Sequence, residues 1–336
     1  MLNYLTVMPN IYFRCTARAI LAAGVLLSAL TGCSIQQTPL DKHGLTPMTP
    51  QNTPMTRASV PMRPIGSFLA LDGKTQTLPY SPMPWEFGCL PCVNSASGDM
   101  VMLDTGMDVS AHVTLDIIRD GKYPVQLSRH PSVSYIPSLS LGGIAAERFL
   151  ADVDDKEWQF SIFGLPIYGA RAWTLGTQLL SHSKYLAFDN RNHCVTIGLE
   201  DFHGTNNLRW TWYDMYTYEH RPWVNLPVAG GKSMSFLADS AGGPHLILDR
   251  EQWDDIAPHV QVARQMADQY PTWYGMQPVD VYVVRELSFG PLHLRNEAVW
   301  VRKGDDSGEE PSFGLGIFAG TVAVWDFHNH RFGVGA

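Results

Sequence analysis

Short runs in which apolar and polar residues alternate, closed by Gly, Pro or Asn, recur along this chain up to its C-terminus. A period of two buries one face of a β-strand, and a glycine turn between two such runs makes a hairpin. Pro91-Cys92-Val93-Asn94 passes through a Gly-Asp turn into Met100-Val101-Met102-Leu103-Asp104-Thr105-Gly106. Pro222-Trp223-Val224-Asn225 passes through Gly230-Gly231-Lys232 into Phe236-Leu237-Ala238-Asp239-Ser240-Ala241-Gly242, so both hairpins end on an acid. Leu139-Ser140-Leu141-Gly142 then matches Leu287-Ser288-Phe289-Gly290, and Leu175-Gly176 with Leu186 to Asp189 matches Leu315-Gly316 with Val324 to Asp326. The offsets are 135 for Asp104 and Asp239, 148 for Leu139 and Leu287, and 140 for Leu175 and Leu315. Similar offsets in one order indicate a duplicated unit with loop insertions. Helical periodicity is confined to about Thr114 to Asp120, Arg250 to Ile256 and Gln261 to Asp268. The pattern predicts two all-β lobes with a few short helices, over residues 65–204 and 205–336.

The N-terminus has a different pattern. Arg14 and Arg18 precede an apolar run from Ala19 to Leu30, and Leu30-Thr31-Gly32-Cys33 follows. That is the order of a secretory signal, and the run is shorter than the ~20 residues a membrane helix needs. Leu-Thr-Gly-Cys resembles the lipobox of bacterial lipoproteins, which implies a signal peptide over 1–32, cleavage before Cys33 and acylation of its sulfur. Ser34 after the cysteine, by resemblance to Gram-negative lipoproteins, implies the outer membrane, facing the periplasm. Residues 33–64 carry Pro39, Pro47, Pro50, Pro54, Pro61 and Pro64 without an apolar period, as an extended tether would.

Composition narrows the chemistry. The 336 residues carry 24 basic and 32 acidic side chains, a net charge of -8, which lacks the basic surplus that nucleic acid requires. Of the 5 cysteines, Cys89, Cys92 and Cys194 fall in the folded part, an odd number. Residues three apart on a strand face opposite ways, so Cys89 and Cys92 would bridge only under strain. Zinc would need more than the His-x-His at His328 and His330. No Gly-x-Ser-x-Gly elbow or phosphate-binding glycine loop occurs. Asp189 and Asp326 read as turn formers, Gly304 to Glu310 as a solvated acidic loop, and Trp210, Trp212, Tyr216 and Tyr218 as a strand packing one face on the core.

Leu103-Asp104-Thr105-Gly106-Met107-Asp108 resembles the active-site turn of retropepsin-like aspartic proteases. Pepsin-like enzymes join two such lobes in one chain, each giving one aspartate. The resemblance spans about residues 66–336 and implies an all-β, two-lobed pepsin or retropepsin-like acid protease barrel fold. It further implies an aspartic endopeptidase acting on peptide or protein substrates as a monomer, without metal or organic cofactor. Asp104 and Asp239 would share one proton and a lytic water, because like charges about 3 Å apart cannot both ionise. By the same resemblance Thr105 and Ser240 would tie the turns together, Gly106 would admit the substrate backbone and Asp108 would contact substrate main chain. Ala241 stands where the family has glycine, and a positive φ there would cost about 1 kcal/mol or more. The alternative is a pseudoprotease that binds an extended peptide or an envelope partner in the cleft by strand addition. Residues 121–137 and 269–283 occupy the interval of a flap without a hairpin signature.

Overall fold

The computed structural model describes residues 33–39, 66–71, 75–82, 91–114, 117–118, 125–126, 132–154, 156–162, 165–169, 172–204, 207–242, 246–272, 275–303 and 310–336. The signal segment 1–32, most of the tether, Cys89 and the acidic loop 304–309 lie outside them. The chain divides into two units, 1–39 with 157–170, and 40–156 with 171–336. In the first, Cys33–Pro39, Lys156–Ile162 and Leu165–Gly169 form a three-stranded sheet with Lys156–Ile162 in the middle. All that follows concerns the second unit.

Its two halves repeat one topology. Pro91–Asn94 and Met100–Asp104 pair antiparallel around a turn with Gly98 at φ 86°; Arg221–Pro227 and Ser233–Ala238 pair likewise around Gly230 at φ 80°. Both values lie in the left-handed region that glycine enters without a Cβ penalty. In the first half Ala172–Gly176 lies parallel to Met100–Asp104 and antiparallel to Ala111–Thr114, which runs parallel to Ile144–Asp154. In the second, Ser312–Phe313 lies parallel to Ser233–Ala238 and antiparallel to Leu246–Leu248, which runs parallel to Leu292–Arg302. Each half therefore threads a late strand between the two strands that flank its acid turn. This all-β arrangement is consistent with a pepsin-like fold.

The repeat extends to local irregularities. Arg148 and Asn296, 148 residues apart, are both at positive φ, 54° and 52°, and each interrupts the pairing of its strand with the preceding one. The register is unchanged on either side, so each is a one-residue interruption of the ladder at the same place in its half, without an inserted residue. The third correspondence shifts by two residues: Thr174 pairs with Met102 as Ser312 pairs with Leu237, so Phe313-Gly314 answers Leu175-Gly176. Phe313-Gly314-Leu315-Gly316 offers two apolar-glycine steps, and only pairing tells them apart.

The closing hairpins join the halves. Tyr185–Asp189 pairs antiparallel with Val322–Asp326, within a run from Trp210–Tyr218 through Arg331–Gly335 to Cys194–Gly198 and Gln76–Pro79. Phe188 and Trp325, fully buried, meet edge to face with centroids 5.3 Å apart. One apolar core runs from Val101, Leu103 and Trp173 to Phe236, Phe313 and Trp325. Each such side chain contributes about 1.5–3 kcal/mol on burial. Asp189 and Asp326 accept from the backbone N–H groups of Arg191 and Asn329 at 3.0 and 3.1 Å, as turn residues do.

Three sequence expectations change. Arg250–Ile256 is a helix, capped by Asp249 and burying Trp253 and Ile256, but Gln261–Asp268 is not. Val262–Thr272 is a strand paired antiparallel with the first part of Gly275–Phe289, up to Val284, with one register shift between Val262 and Arg264, so the interval 269–283 does hold a hairpin. Its Ala, Arg, Gln and Met favour helix locally, and the partner strand overrides that preference. Thr114 ends the strand Ala111–Thr114, and only 117–118 of the next stretch is described as helical. Finally, Trp210 and Trp212 stack at 5.5 Å and pack on a second apolar cluster with buried Ala187, Val322 and Val324, while Tyr213 and Met215 face the main core. The expected packing therefore holds for the two tryptophans, whereas Tyr216 and Tyr218 are exposed.

Candidate active site

Alternation along Met100–Asp104 sends Val101 and Leu103 into the core and leaves Asp104 at the strand end, facing the other side. Ser233–Ala238 delivers Asp239 in the same way. Asp104 Oδ1 accepts from the Gly106 N–H at 2.8 Å, and Asp239 Oδ1 accepts from the Ala241 N–H at 2.8 Å. The two turns are fastened to each other by their next residues. The Thr105 N–H donates to Ser240 Oγ at 2.9 Å, and the Ser240 N–H donates to Thr105 Oγ1 at 2.8 Å. Each hydroxyl also donates across the junction, Thr105 to the Ala238 carbonyl at 2.6 Å and Ser240 to the Leu103 carbonyl at 2.7 Å. Both residues are fully buried, so none of these groups has water as an alternative partner.

Packing beneath completes the frame. The Ala238 carbonyl accepts a second bond, from Trp325 Nε1 at 2.9 Å, which ties the closing sheet to the Asp239 turn. The Thr105 carbonyl accepts from Thr177 Oγ1 at 2.5 Å, and Thr177 is buried at the start of the short helix Thr177–Leu180. Sequence reasoning missed Thr177, although a hydroxyl straight after a strand-ending Leu-Gly was its available signal. Leu315 holds the matching place in the second half, so the Asp239 turn has no such brace.

Burial raises both acids above the usual carboxylate range. For Asp104 the Asp239 charge and the hydrogen bond between the two side chains raise it further, while the Gly106 and Met107 amides pull it back. For Asp239 the Ala241 N–H and the bond from Asp104 oppose the rise. Burial and mutual repulsion therefore favour one shared proton on the pair over two charged carboxylates, and the two groups titrate together.

Gly106 is a glycine for steric reasons. A Cβ there would stand 2.4 Å from Asp239 Cγ and 2.5 Å from Oδ2, inside any permissible contact. Neither Gly106 nor Ala241 lies in the left-handed region, so the backbone strain anticipated at Ala241 is absent. Asp108 is exposed. The nearby Arg221 guanidinium bonds both Glu310 oxygens at 2.8 and 2.5 Å and Glu219 at 3.0 Å. Cys33 opens the strand Cys33–Pro39. Burial pushes the Cys92 thiol up to about 12 and also raises Cys194; both are free. Among the described residues no three His, Cys, Asp or Glu side chains are grouped to hold a metal, and no helix is long and apolar enough to cross a membrane.

No family model and no curated protein matches the chain. Among solved structures it is similar to the aspartic proteinase from Irpex lacteus, with a TM-score of 0.41 and 13% identity over 78% of this chain and 97% of that one. That likeness is too distant to assign residue roles.

Proposed function

We propose that this chain is an aspartic-type endopeptidase, held in the bacterial envelope by lipid on Cys33, at the outer membrane facing the periplasm. In this reading it works as a monomer, without metal or organic cofactor. The observation that supports it is the reciprocal Thr105 and Ser240 lock, which holds two acids with raised pKa in hydrogen-bond contact. A water bound between the carboxyls would lose a proton to the Asp239 carboxylate as its oxygen attacks the peptide carbonyl carbon. The Asp104 acid would give its proton to the carbonyl oxygen, leaving a neutral tetrahedral diol. Asp239 would then return its proton to the amide nitrogen, Asp104 would take one from a diol hydroxyl, and the C–N bond would break. Gly106 would leave room for the substrate backbone and Asp108 would bind its main chain.

The test is cleavage of a diverse peptide library by residues 33–336 from acid to neutral pH, beside Asp104→Asn. The variant keeps the side-chain volume but cannot exchange the shared proton, and a loss of about 10²–10⁴-fold in cleavage is expected. Full activity in Asp104→Asn would overturn the assignment. A folded protein that cuts nothing at any pH would leave peptide binding without hydrolysis as the reading.

A further inference from the structure

Strand register fixes which side chains share a sheet face with each aspartate. Asp239 lies on the side of Leu237, which pairs with Trp223, and Trp223 pairs with Tyr216. Tyr218, on the same side of its strand, pairs with Arg221, and its ring meets Trp223 edge to face with centroids 6.2 Å apart. The intervening Met215, Val224 and Phe236 belong to the main core, so this row faces away from it. In the other direction Leu237 continues through Ser312 and Ile247 to Trp300, where Val279, Val281 and Tyr270 close the row off. At the Trp223 end the row is open: Tyr216 is 41% and Tyr218 55% exposed.

The first half has no counterpart. Its row from Asp104 runs through Met102 to Cys92 and Ser81, without an aromatic residue. In the second half Trp223 is buried beside the two tyrosines, and among the described residues its indole Nε1 has no hydrogen-bond acceptor. A buried donor without an acceptor is costly, and a peptide carbonyl lying along the tyrosines would supply one. The border of the patch reaches the junction of the halves: Arg221, held by Glu310 and Glu219, also feels the charge of Asp108, four residues after Asp104. Adjacent strands lie about 4.8 Å apart and alternate residues about 6.6 Å, which puts Tyr216 and Tyr218 roughly 10–12 Å from Asp239 across the sheet. An extended peptide advances about 3.3 Å per residue, so the tyrosines meet its third or fourth residue from the dyad.

Resting on the endopeptidase reading, we propose that Tyr216 and Tyr218 form an aromatic shelf that selects an aromatic substrate side chain three or four residues from the scissile bond, on the Asp239 side alone. A ring packs offset or edge to face on the exposed tyrosines, whereas an alanine at that place leaves them in water. The shelf therefore discriminates between substrates and takes no part in the chemistry at the dyad.

The library profile of the unmodified protein should show phenylalanine, tyrosine or tryptophan favoured three or four residues from the cut, on one side only. Matched peptides with phenylalanine or alanine at that position then give a ratio of kcat/KM. Tyr216→Ser combined with Tyr218→Ser should lower that ratio about three- to tenfold, the worth of an aromatic contact, and Tyr216→Phe combined with Tyr218→Phe should keep it. Both side chains are exposed, so neither pair of changes opens the core. A purely structural role would move both peptides together and leave the ratio unchanged, which would overturn the shelf, as would a profile without an aromatic preference at that distance. If the unmodified protein cuts nothing, the endopeptidase reading fails separately, and retention of the same library on the immobilised protein decides. Enrichment of aromatic peptides that the double serine variant loses supports the shelf; no enrichment, or enrichment that the variant keeps, overturns it.

Discussion

The turn around Asp104 carries Thr105 and Gly106 and is braced from below by Thr177; the turn around Asp239 carries Ser240 and Ala241, with Leu315 at the place of Thr177. The hydrogen bonds to the two carboxylates are nevertheless the same, each from the backbone N–H two residues on at 2.8 Å. What the duplication demands is thus narrower than the motif suggests. A hydroxyl is needed at the second position of each turn, whereas a hydrogen is needed at the third position only where the opposite carboxyl closes in. Gly106→Ala tests that limit most severely. Its methyl would collide with Asp239 Cγ, so the carboxyl must move, and a displacement near 1 Å costs roughly 10² in rate. Cleavage within a few-fold of normal by Gly106→Ala would show that the dyad tolerates separation.

The lock is where the two halves are most alike. Thr105→Val strips a donor from the Ala238 carbonyl and an acceptor from the Ser240 N–H; Ser240→Ala does the same to Leu103 and Thr105. Ser240→Ala removes a partner from two buried groups, whereas Thr105→Val orphans only the Ser240 N–H, because the Ala238 carbonyl keeps its bond from Trp325; each should cost about 1–3 kcal/mol in urea denaturation, Ser240→Ala the more. Because both act on one junction, the double variant should lose clearly less than the sum. Strict additivity would mean that the two bonds do not work as a unit.

Away from the turns the halves diverge at one matched position. Directly after Arg148 and Asn296, the first half places Phe149, fully buried and edge to face with Trp173, while the second places the half-buried Glu297. Burial pushes the Glu297 carboxyl up to about 7, with only the Ala298 N–H opposing. Between the unfolded value near 4.5 and about 7, the folded state holds the extra proton. Its contribution is full below about 4.5 and is lost as pH rises through about 7, of order 1–2 kcal/mol. Glu297→Gln should flatten this part of the stability curve against pH, and an unchanged slope would show that the carboxyl is solvated. The two buried acids of the dyad act with the same sign.

Most of this duplication was legible because it is written in period-two alternation and glycine turns, which depend on neighbours in sequence. The acid turns, the closing hairpins and the helix Arg250–Ile256 all fall in that class. What was not legible depends on partners far along the chain. Val262–Thr272 has helix-forming residues and becomes a strand only because Gly275–Phe289 lies beside it. Phe313-Gly314 and Leu315-Gly316 look alike until Leu237 selects Ser312. The two ladder interruptions put Arg148 and Asn296, neither a glycine, in the left-handed region, which no local pattern signals. Thr177 matters only because the Thr105 carbonyl, 72 residues earlier, ends above it.

Ala241→Gly probes the smallest difference between the turns. Ala241 adopts an ordinary backbone conformation and already donates its N–H to Asp239. Glycine would therefore add no bond and relieve no φ strain, while widening the unfolded ensemble, at a cost of about 0.4–1 kcal/mol. Cleavage should stay within a few-fold of the unmodified protein. A gain above about tenfold would mean instead that the methyl holds the Asp104 carboxyl off its working position, and that the second turn restrains the first. A fall in stability without a change in rate would show that the dyad needs one glycine, at Gly106, and not two.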